Sequence, residues 1–384
     1  MATKRGKGED LLQINPYDLV MEILSWLPVK SILRFKCVSK SWLAMLTNPH
    51  FVKLHLTRSS NSKLVLTCSL NSMYSLEPPI PMRNLFVSSW TDIVEAAASD
   101  DDVKVEGIEI VNPCNYEQKE FVRIAGSCRG LVLCYKPGHR GTLYLVNPST
   151  REVKRLPDLP LISENYAFAI SRGLGYDASH DDYKVVQILS PYYSTEFITC
   201  VYSLKSKSNS WRRISDSPLS IQEDSCGLFL NGKLHWFNQD MSKMGFLSLD
   251  EEKFGYVPLP DIILPPQLFT PGLIGIVKGC LYLVSEASCC GLTFWVMKEY
   301  GMRETWTKFE FGISCDTMKP LDFPNDDGDV DLFAIGRTEL VMCNLRQKTH
   351  RRVEFYSVPL FWDQWDEAVT CLETIVSPKS YNLL

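Results

Sequence analysis

Histidines, cysteines and clustered carboxylates are the side chains here that could do metal, redox or acid–base chemistry. His50, His55, His139, His180, His235 and His350 are scattered, with no pair at metal-ligand spacing. Neither a zinc nor a copper centre is expected from them. The run Asp326-Asp327-Gly328-Asp329-Val330-Asp331 has the carboxylate density of a calcium loop. Its glycine falls in the wrong place for an EF-hand and no Glu closes it, so it reads as a hairpin turn ahead of a strand. No Gly-x-Ser-x-Gly elbow, Walker loop or dinucleotide-binding glycine motif occurs. The thirteen cysteines mostly sit singly inside apolar runs, as Cys68, Cys134, Cys200, Cys280 and Cys343 do. Cys289-Cys290 departs from that spacing and reads as part of a strand or turn. Reduced, buried thiols in a cytoplasmic or nuclear protein account for this usage. No catalytic centre, metal or cofactor is expected, and the chemistry left to the chain is recognition.

Composition narrows what is recognised. The chain has 384 residues, room for a small module and one large domain, and its net charge is −5. That balance argues against a nucleic-acid backbone binder, which needs a concentrated basic surface. Lys4, Arg5 and Lys7 make only a short basic start, and residues 1–11 are expected to be a disordered tail. The first residues lack the apolar segment of a signal peptide. No apolar run reaches the length of a membrane span.

The elements that must do the recognising fall into two kinds. From Ile14 to Phe51 the pattern is helical. Asn15-Pro16 opens a first helix, because Asn caps free backbone N–H groups and Pro at the first position sacrifices no hydrogen bond. Asp18 suits the positive end of the helix dipole. Leu19, Val20, Ile23, Leu24 and Leu27 then form one apolar stripe, and Pro28 stops the helix. A second helix is predicted from about Val29 to Cys37, with Ile32, Leu33, Phe35 and Val38 apolar. Ser39 caps a third, from Lys40 to about Thr47, carrying Trp42, Leu43, Met45 and Leu46. Asn48-Pro49 is read as its end. So small a unit buries little surface alone, which points to docking on a partner. Packing on the rest of the same chain is the competing reading.

Within this stretch Pro16 to Val20, Glu22 to Leu24, Leu27-Pro28-Val29-Lys30-Ser31 and Arg34 to Trp42 carry a resemblance. The segment is similar to an F-box, most of all to those of plant F-box proteins. Asn15 departs from the family pattern, which usually has Leu there. The resemblance implies docking on a Skp-type adaptor and, through it, a cullin in an SCF ubiquitin ligase. It carries over Pro16, Leu19, Val20, Ile23, Leu24, Leu27, Pro28, Val29 and Leu33 as adaptor-facing. The F-box is taken as residues 12–56 and the remainder, 57–384, as a second domain.

From Leu64 onward the period shortens to that of strands. Leu64 to Ser69 and Glu106 to Val111 are predicted strands, with loops at Pro78 to Pro81 and Ala96 to Asp102. A loose repeat then begins at Ser127, with further units at Gly173, Cys226, Leu273 and Asp331. Each reads as a Gly-marked strand, a tight turn, an apolar strand, a hairpin and a last strand carrying Trp211, Tyr256, Trp306 or Val353. A spacing of about 45–55 residues suits four-stranded propeller blades. The fold expected is α+β multidomain: a three-helix F-box and an all-β propeller of about six blades, or seven if Ser62 to Glu120 holds two. A β-sandwich is the alternative.

Gly126 to Val132, Val146 to Glu152, Gly173 to Asp177, Asp181 to Val186, Val201 to Leu204 with Ser208 to Arg212, and Leu230 to Trp236 are similar to the F-box-associated domain of plant F-box/kelch-type proteins. These motifs read as fold positions; Asn147-Pro148-Ser149-Thr150, for instance, is turn chemistry. The resemblance implies a non-catalytic receptor whose propeller presents a protein target for ubiquitylation. Tyr192, Tyr193, Phe269, Trp362 and Trp365 are the candidate target-binding aromatics, since such anchors dominate interfaces. Filling gaps between blades is their other reading. Two rival functions stand beside this one: a binding propeller outside any ligase, and a propeller oxidase.

Overall fold

The computed structural model describes residues 16–67, 85–89, 103–105, 108–110, 122–136, 142–163, 167–191, 197–221, 225–238, 242–260, 274–287, 291–311, 318–321, 330–335, 339–344, 349–355 and 367–379. The chain divides into two compact units, Met1–Ser59 and Ser60–Leu384.

Among the described residues the first unit contains four helices: α1 (Pro16–Leu24), α2 (Val29–Phe35), α3 (Lys40–Leu46) and α4 (Pro49–Arg58). The expectation of three is corrected. Asn48-Pro49, read as a stop, also starts α4: Asn48 Oδ1 accepts from His50 N at 2.8 Å and Pro49 takes the first helical position. The physics is that invoked for Asn15-Pro16, an acceptor for orphan donors followed by a residue with no donor to waste. Ser39 caps α3 as expected, accepting from Trp42 N at 3.2 Å. Leu24, Val29, Ile32, Met45, Leu46, Phe51, Val52 and Leu56 are buried. His55, also buried, lies with Nε2 3.1 Å from the Leu27 carbonyl oxygen and so ties α4 to the turn after α1.

The second unit opens with β1 (Ser62–Thr67), β2 (Leu85–Ser89), β3 (Val103–Val105) and β4 (Ile108–Ile110). Next come β5 (Arg123–Cys128), β6 (Leu131–Tyr135), β7 (Leu143–Asn147) and β8 (Glu152–Arg155), and a helical turn, α5 (Pro160–Ser163). They are followed by β9 (Ala167–Asp177), β10 (Asp182–Pro191), β11 (Ile198–Ser203), β12 (Trp211–Arg213), β13 (Ser225–Leu230), β14 (Lys233–Phe237), β15 (Met244–Ser248) and β16 (Phe254–Val257). The last are β17 (Ile274–Val277), β18 (Cys280–Ala287), β19 (Gly291–Met297), β20 (Trp306–Phe311), β21 (Met318–Leu321), β22 (Val330–Ile335), β23 (Glu339–Asn344), β24 (Thr349–Phe355) and β25 (Glu367–Leu372).

Antiparallel meanders of four strands recur. β5 to β8 form one sheet and β17 to β20 another. β9 to β12 and β13 to β16 are two meanders joined through parallel pairing of β9 with β13. β21 to β24 add β3 as a fifth strand. The remaining sheet runs β25-β1-β2-β4, so the last strand pairs with the first, Val65 opposite Val369. The region predicted as one strand at Glu106 to Val111 contains β4, while the neighbouring β3 joins a different sheet.

Apolar clusters lie between successive meanders, which is what a radially repeated β architecture requires. Val65 and Cys371 pack with Ile124, Val132, Cys134 and Val146. Val186, Ile188 and Val201 meet Leu234, Trp236 and Leu247. Met244 and Val257 meet Leu281, Leu283 and Trp306. Two tryptophans latch neighbouring meanders at equivalent places. Trp211 Nε1 donates to the Pro157 carbonyl at 2.7 Å, and Trp306 Nε1 to that of Pro258 at 2.9 Å. The turns Arg129-Gly130, Asn231-Gly232 and Lys278-Gly279 have positive φ at both residues, the hairpin geometry that matches strand twist. At Gly130 a side chain is doubly excluded, by φ +87° and because a Cβ would run into Thr374.

Candidate functional site

The helical unit puts part of its α1 stripe outward. Leu19, Val20 and Ile23 are exposed, Ile23 at 64%, and so are Pro16 and Pro28. Leu27 and Leu33 are half-buried. Leu24, 5% exposed, and Val29 are buried, so a charge placed at either would attack the folding of the unit itself. Four further large apolar side chains stand exposed: Tyr17, Trp26, Val38 and Leu43. Trp26 was missed because it lies past the regular helix. The signal that could have found it is its i+3 spacing from Ile23.

The end of α1 is held by α4. Arg58 donates through Nη1 to the Glu22 carbonyl at 3.1 Å and to Ser25 Oγ, and through Nη2 to Glu22 Oε1 at 2.5 Å. Its guanidinium lies over the Trp26 ring, 4.7 Å from the centroid. A cation meeting the last carbonyls of a helix is favourable both as a hydrogen bond and against the dipole.

In the β unit the motif residues serve intramolecular partners. Buried Lys184 reaches Asp177 Oδ2 at 2.9 Å, Glu252 Oε1 at 3.1 Å and the Leu249 carbonyl at 2.5 Å, pinning β10 to the β15–β16 turn. Burial works to raise the Asp177 carboxyl, but hydrogen bonds from Lys184 and His180 outweigh it and hold the group below its ordinary range. Glu252 is lowered by the same contest, with Arg212 and Lys184 as its donors. Tyr183 donates to the Arg129 carbonyl at 2.8 Å. His235 is enclosed, with Nδ1 3.0 Å from the Leu228 carbonyl oxygen and Nε2 2.7 Å from Tyr300 Oη; burial pushes its pKa down to about 4.

Asn147, expected only as turn chemistry, does more. Its Oδ1 accepts from Ser149 N at 2.8 Å and Thr150 N at 3.2 Å. Its Nδ2 donates to the carbonyls of Thr374 at 3.0 Å and Val376 at 2.7 Å, fastening the segment after β25. Tyr192, Tyr193, Phe269, Trp362 and Trp365 lie outside the described residues, as do Cys68 and Cys289-Cys290. Cys128, Cys134, Cys200 and Cys371 are buried thiols, while Cys37 is exposed.

Comparison with known proteins agrees with this division. The F-box domain family matches residues 12–54, and the family described as F-box associated beta propeller domain matches residues 80–359. An F-box/kelch-repeat protein of Arabidopsis thaliana is 28% identical over 299 residues, 76% of this chain and 78% of that protein. The F-box protein CPR1 of Arabidopsis thaliana is 27% identical over 375 residues, 87% of this chain and 82% of that one. F-box domains in general dock on Skp-type adaptors, and proteins joining them to such propellers are generally non-catalytic substrate receptors. With its helical unit at one end and meander upon meander after it, the chain belongs to the family of proteins that join an F-box to an F-box-associated β-propeller domain.

Proposed function

We propose that this chain is the substrate-recognition subunit of an SCF-type ubiquitin ligase. The helical unit docks on a Skp-type adaptor and through it on a cullin, and the β unit holds a protein target while a separate conjugating enzyme does the chemistry. The observation that carries the reading is the exposed α1 face, Leu19, Val20 and Ile23, in the segment that matches the F-box family. Each such side chain contributes on the order of 1.5–3 kcal/mol when fully buried, before the costs of association. The adaptor face is Pro16, Leu19, Val20, Ile23, Leu27, Pro28 and Leu33, with Leu24 and Val29 as its inner support. The protein works in the cytoplasm or nucleus.

The β unit is proposed as six blades, one for each meander plus the sheet that the last strand completes. Within the eight-stranded sheet, the ends joined by tight turns are occupied by Asp177, Lys184 and Glu252. β10 and β16 run the same way and end on the side away from those turns. Target recognition is assigned to the longer connections between strands, with Tyr192, Tyr193, Phe269, Trp362 and Trp365 as the candidate residues.

The test is affinity purification of the tagged chain from cells treated with a proteasome inhibitor, beside Leu19→Asp/Ile23→Asp. Adaptor and cullin are expected with the unaltered chain alone, and target proteins with both. Absence of the adaptor from both would overturn the ligase reading.

A further inference from the structure

Trp26, one of two tryptophans in the helical unit, is 66% exposed and adds to an apolar surface that already holds Leu19, Val20 and Ile23. It is not loosely placed. Backbone hydrogen bonds from Ser25 N to Met21 O at 3.0 Å and Trp26 N to Ile23 O at 3.3 Å carry the winding of α1 one turn past Leu24. That winding sets Trp26 beside Ile23 and extends the Leu19, Val20 and Ile23 face. On its other side the indole rests against the Arg58 guanidinium, 4.7 Å from the ring centroid. The same guanidinium is fixed by Glu22 and Ser25. Arg58 is largely enclosed, its side chain 17% exposed, and it stands past the F-box match, which ends at residue 54.

We propose that Arg58 is a positioning residue for adaptor docking, holding the turn after α1 so that Trp26 stands as an anchor continuous with the α1 face. The inference rests on the docking reading given above and names what sharpens it. The occupant is the Skp-type adaptor, for two reasons. Trp26 continues the face assigned to that partner. Residues 16–59 also carry six Lys and Arg against two Asp and Glu, a net +4 in a chain of −5, which suits an acidic partner. Holding the indole in place before binding removes an ordering cost from association, and tryptophan is the side chain most enriched among binding hot spots.

The experiment measures binding of the full chain to a purified Skp-type adaptor, with association and dissociation rates, for the unaltered chain, Trp26→Ala, Arg58→Ala, Arg58→Lys, the Trp26→Ala/Arg58→Ala pair and Leu19→Asp/Ile23→Asp. Trp26→Ala should weaken binding about tenfold or more, mostly through faster dissociation. Arg58→Ala should cost roughly threefold to tenfold, and Arg58→Lys should recover part of it, because a single ammonium cannot make the forked contacts. Once Trp26 is absent, Arg58→Ala should add less than about twofold. Unchanged binding of Trp26→Ala overturns the proposal. So does an Arg58→Ala loss equally large with and without Trp26, which would mark a purely structural role. If only Leu19→Asp/Ile23→Asp loses the adaptor, docking stands and the Arg58 assignment falls. If the unaltered chain does not bind either, both fall.

Discussion

Asn147→Asp tests how the β unit is closed. Asn147 is fully buried at the end of β7, and its two amide atoms do separate jobs. Oδ1 shapes the 147–150 turn, and Nδ2 gives both its hydrogens to the chain after β25, at Thr374 O and Val376 O. Aspartate keeps the shape and the turn acceptor but presents an oxygen to those two carbonyls. Each deserted buried acceptor costs about 1–3 kcal/mol, so two give roughly 2–6 kcal/mol before any charge effect. A domain's whole stability is about 5–15 kcal/mol, so the loss is large. It also falls where the last strand meets the first, Val65 opposite Val369, so the meanders should lose cooperativity together. The assay is urea denaturation of the full chain, followed by tryptophan fluorescence for the unaltered protein, Asn147→Asp, a chain ending at Leu372, and the two combined. The single change and the truncation should each lower the midpoint. Combined, they should fall well short of additive, because they remove the same contacts. An unfolding free energy for Asn147→Asp within about 0.5 kcal/mol of that of the unaltered protein, the ordinary effect of a neutral surface change, would refute the reasoning. So would full additivity.

Three further perturbations follow from the same geometry. His235 has its folded pKa depressed to about 4 from 6.5, so its neutral form contributes stability that is complete above pH 6.5 and lost as pH falls toward 4. That loss is on the order of 3 kcal/mol, and His235→Gln should flatten the stability profile in that window, read by denaturation at pH 7, 5.5 and 4.5. Trp306→Phe keeps an aromatic ring but loses the pyrrole half of the indole and with it the donor to the Pro258 carbonyl, and Trp211→Phe does the same at Pro157. Each should cost about 1–3 kcal/mol by thermal or urea unfolding, whereas a neutral result would mean that those latches contribute nothing net. Asn48→Ala removes the cap of α4 and should cost about 1 kcal/mol, measured by the helical circular-dichroism signal during melting.

The repeat was readable because most of the meanders share the same local choices in the same order. Glycine marks the first strand, and a turn with positive φ follows, as at Asn231-Gly232. A large aromatic such as Trp211 or Trp306 then closes the unit. Those choices are local, so they survive divergence elsewhere. The pairing of β25 with β1 was not readable, since Glu367 to Leu372 and Ser62 to Thr67 are ordinary strand sequences with nothing in either to name a partner about 300 residues away. Asn147 hid for a related reason. Its turn role accounts fully for an Asn-Pro-Ser-Thr run, and the second role appears only when the distant carbonyls of Thr374 and Val376 are in view.

The candidate docking face sets a different limit on what sequence can say. The spacing of Leu19, Val20, Ile23, Leu24 and Leu27 marks a stripe that must leave water, but hydrophobic periodicity is blind to what covers it. In the folded unit the stripe divides: Leu24 turns in, Leu27 stops halfway, and Leu19, Val20 and Ile23 stay out. That division separates two kinds of substitution. A charge at Leu24 tests whether the four helices fold, while a charge at Ile23 tests whether they dock. Val38 and Leu43 are exposed as Ile23 is, although their apolar spacing reads equally well as part of a buried helix face. In so small a unit the side chains that stabilise it and those that stay exposed are chemically the same, and only their burial in the folded unit tells them apart.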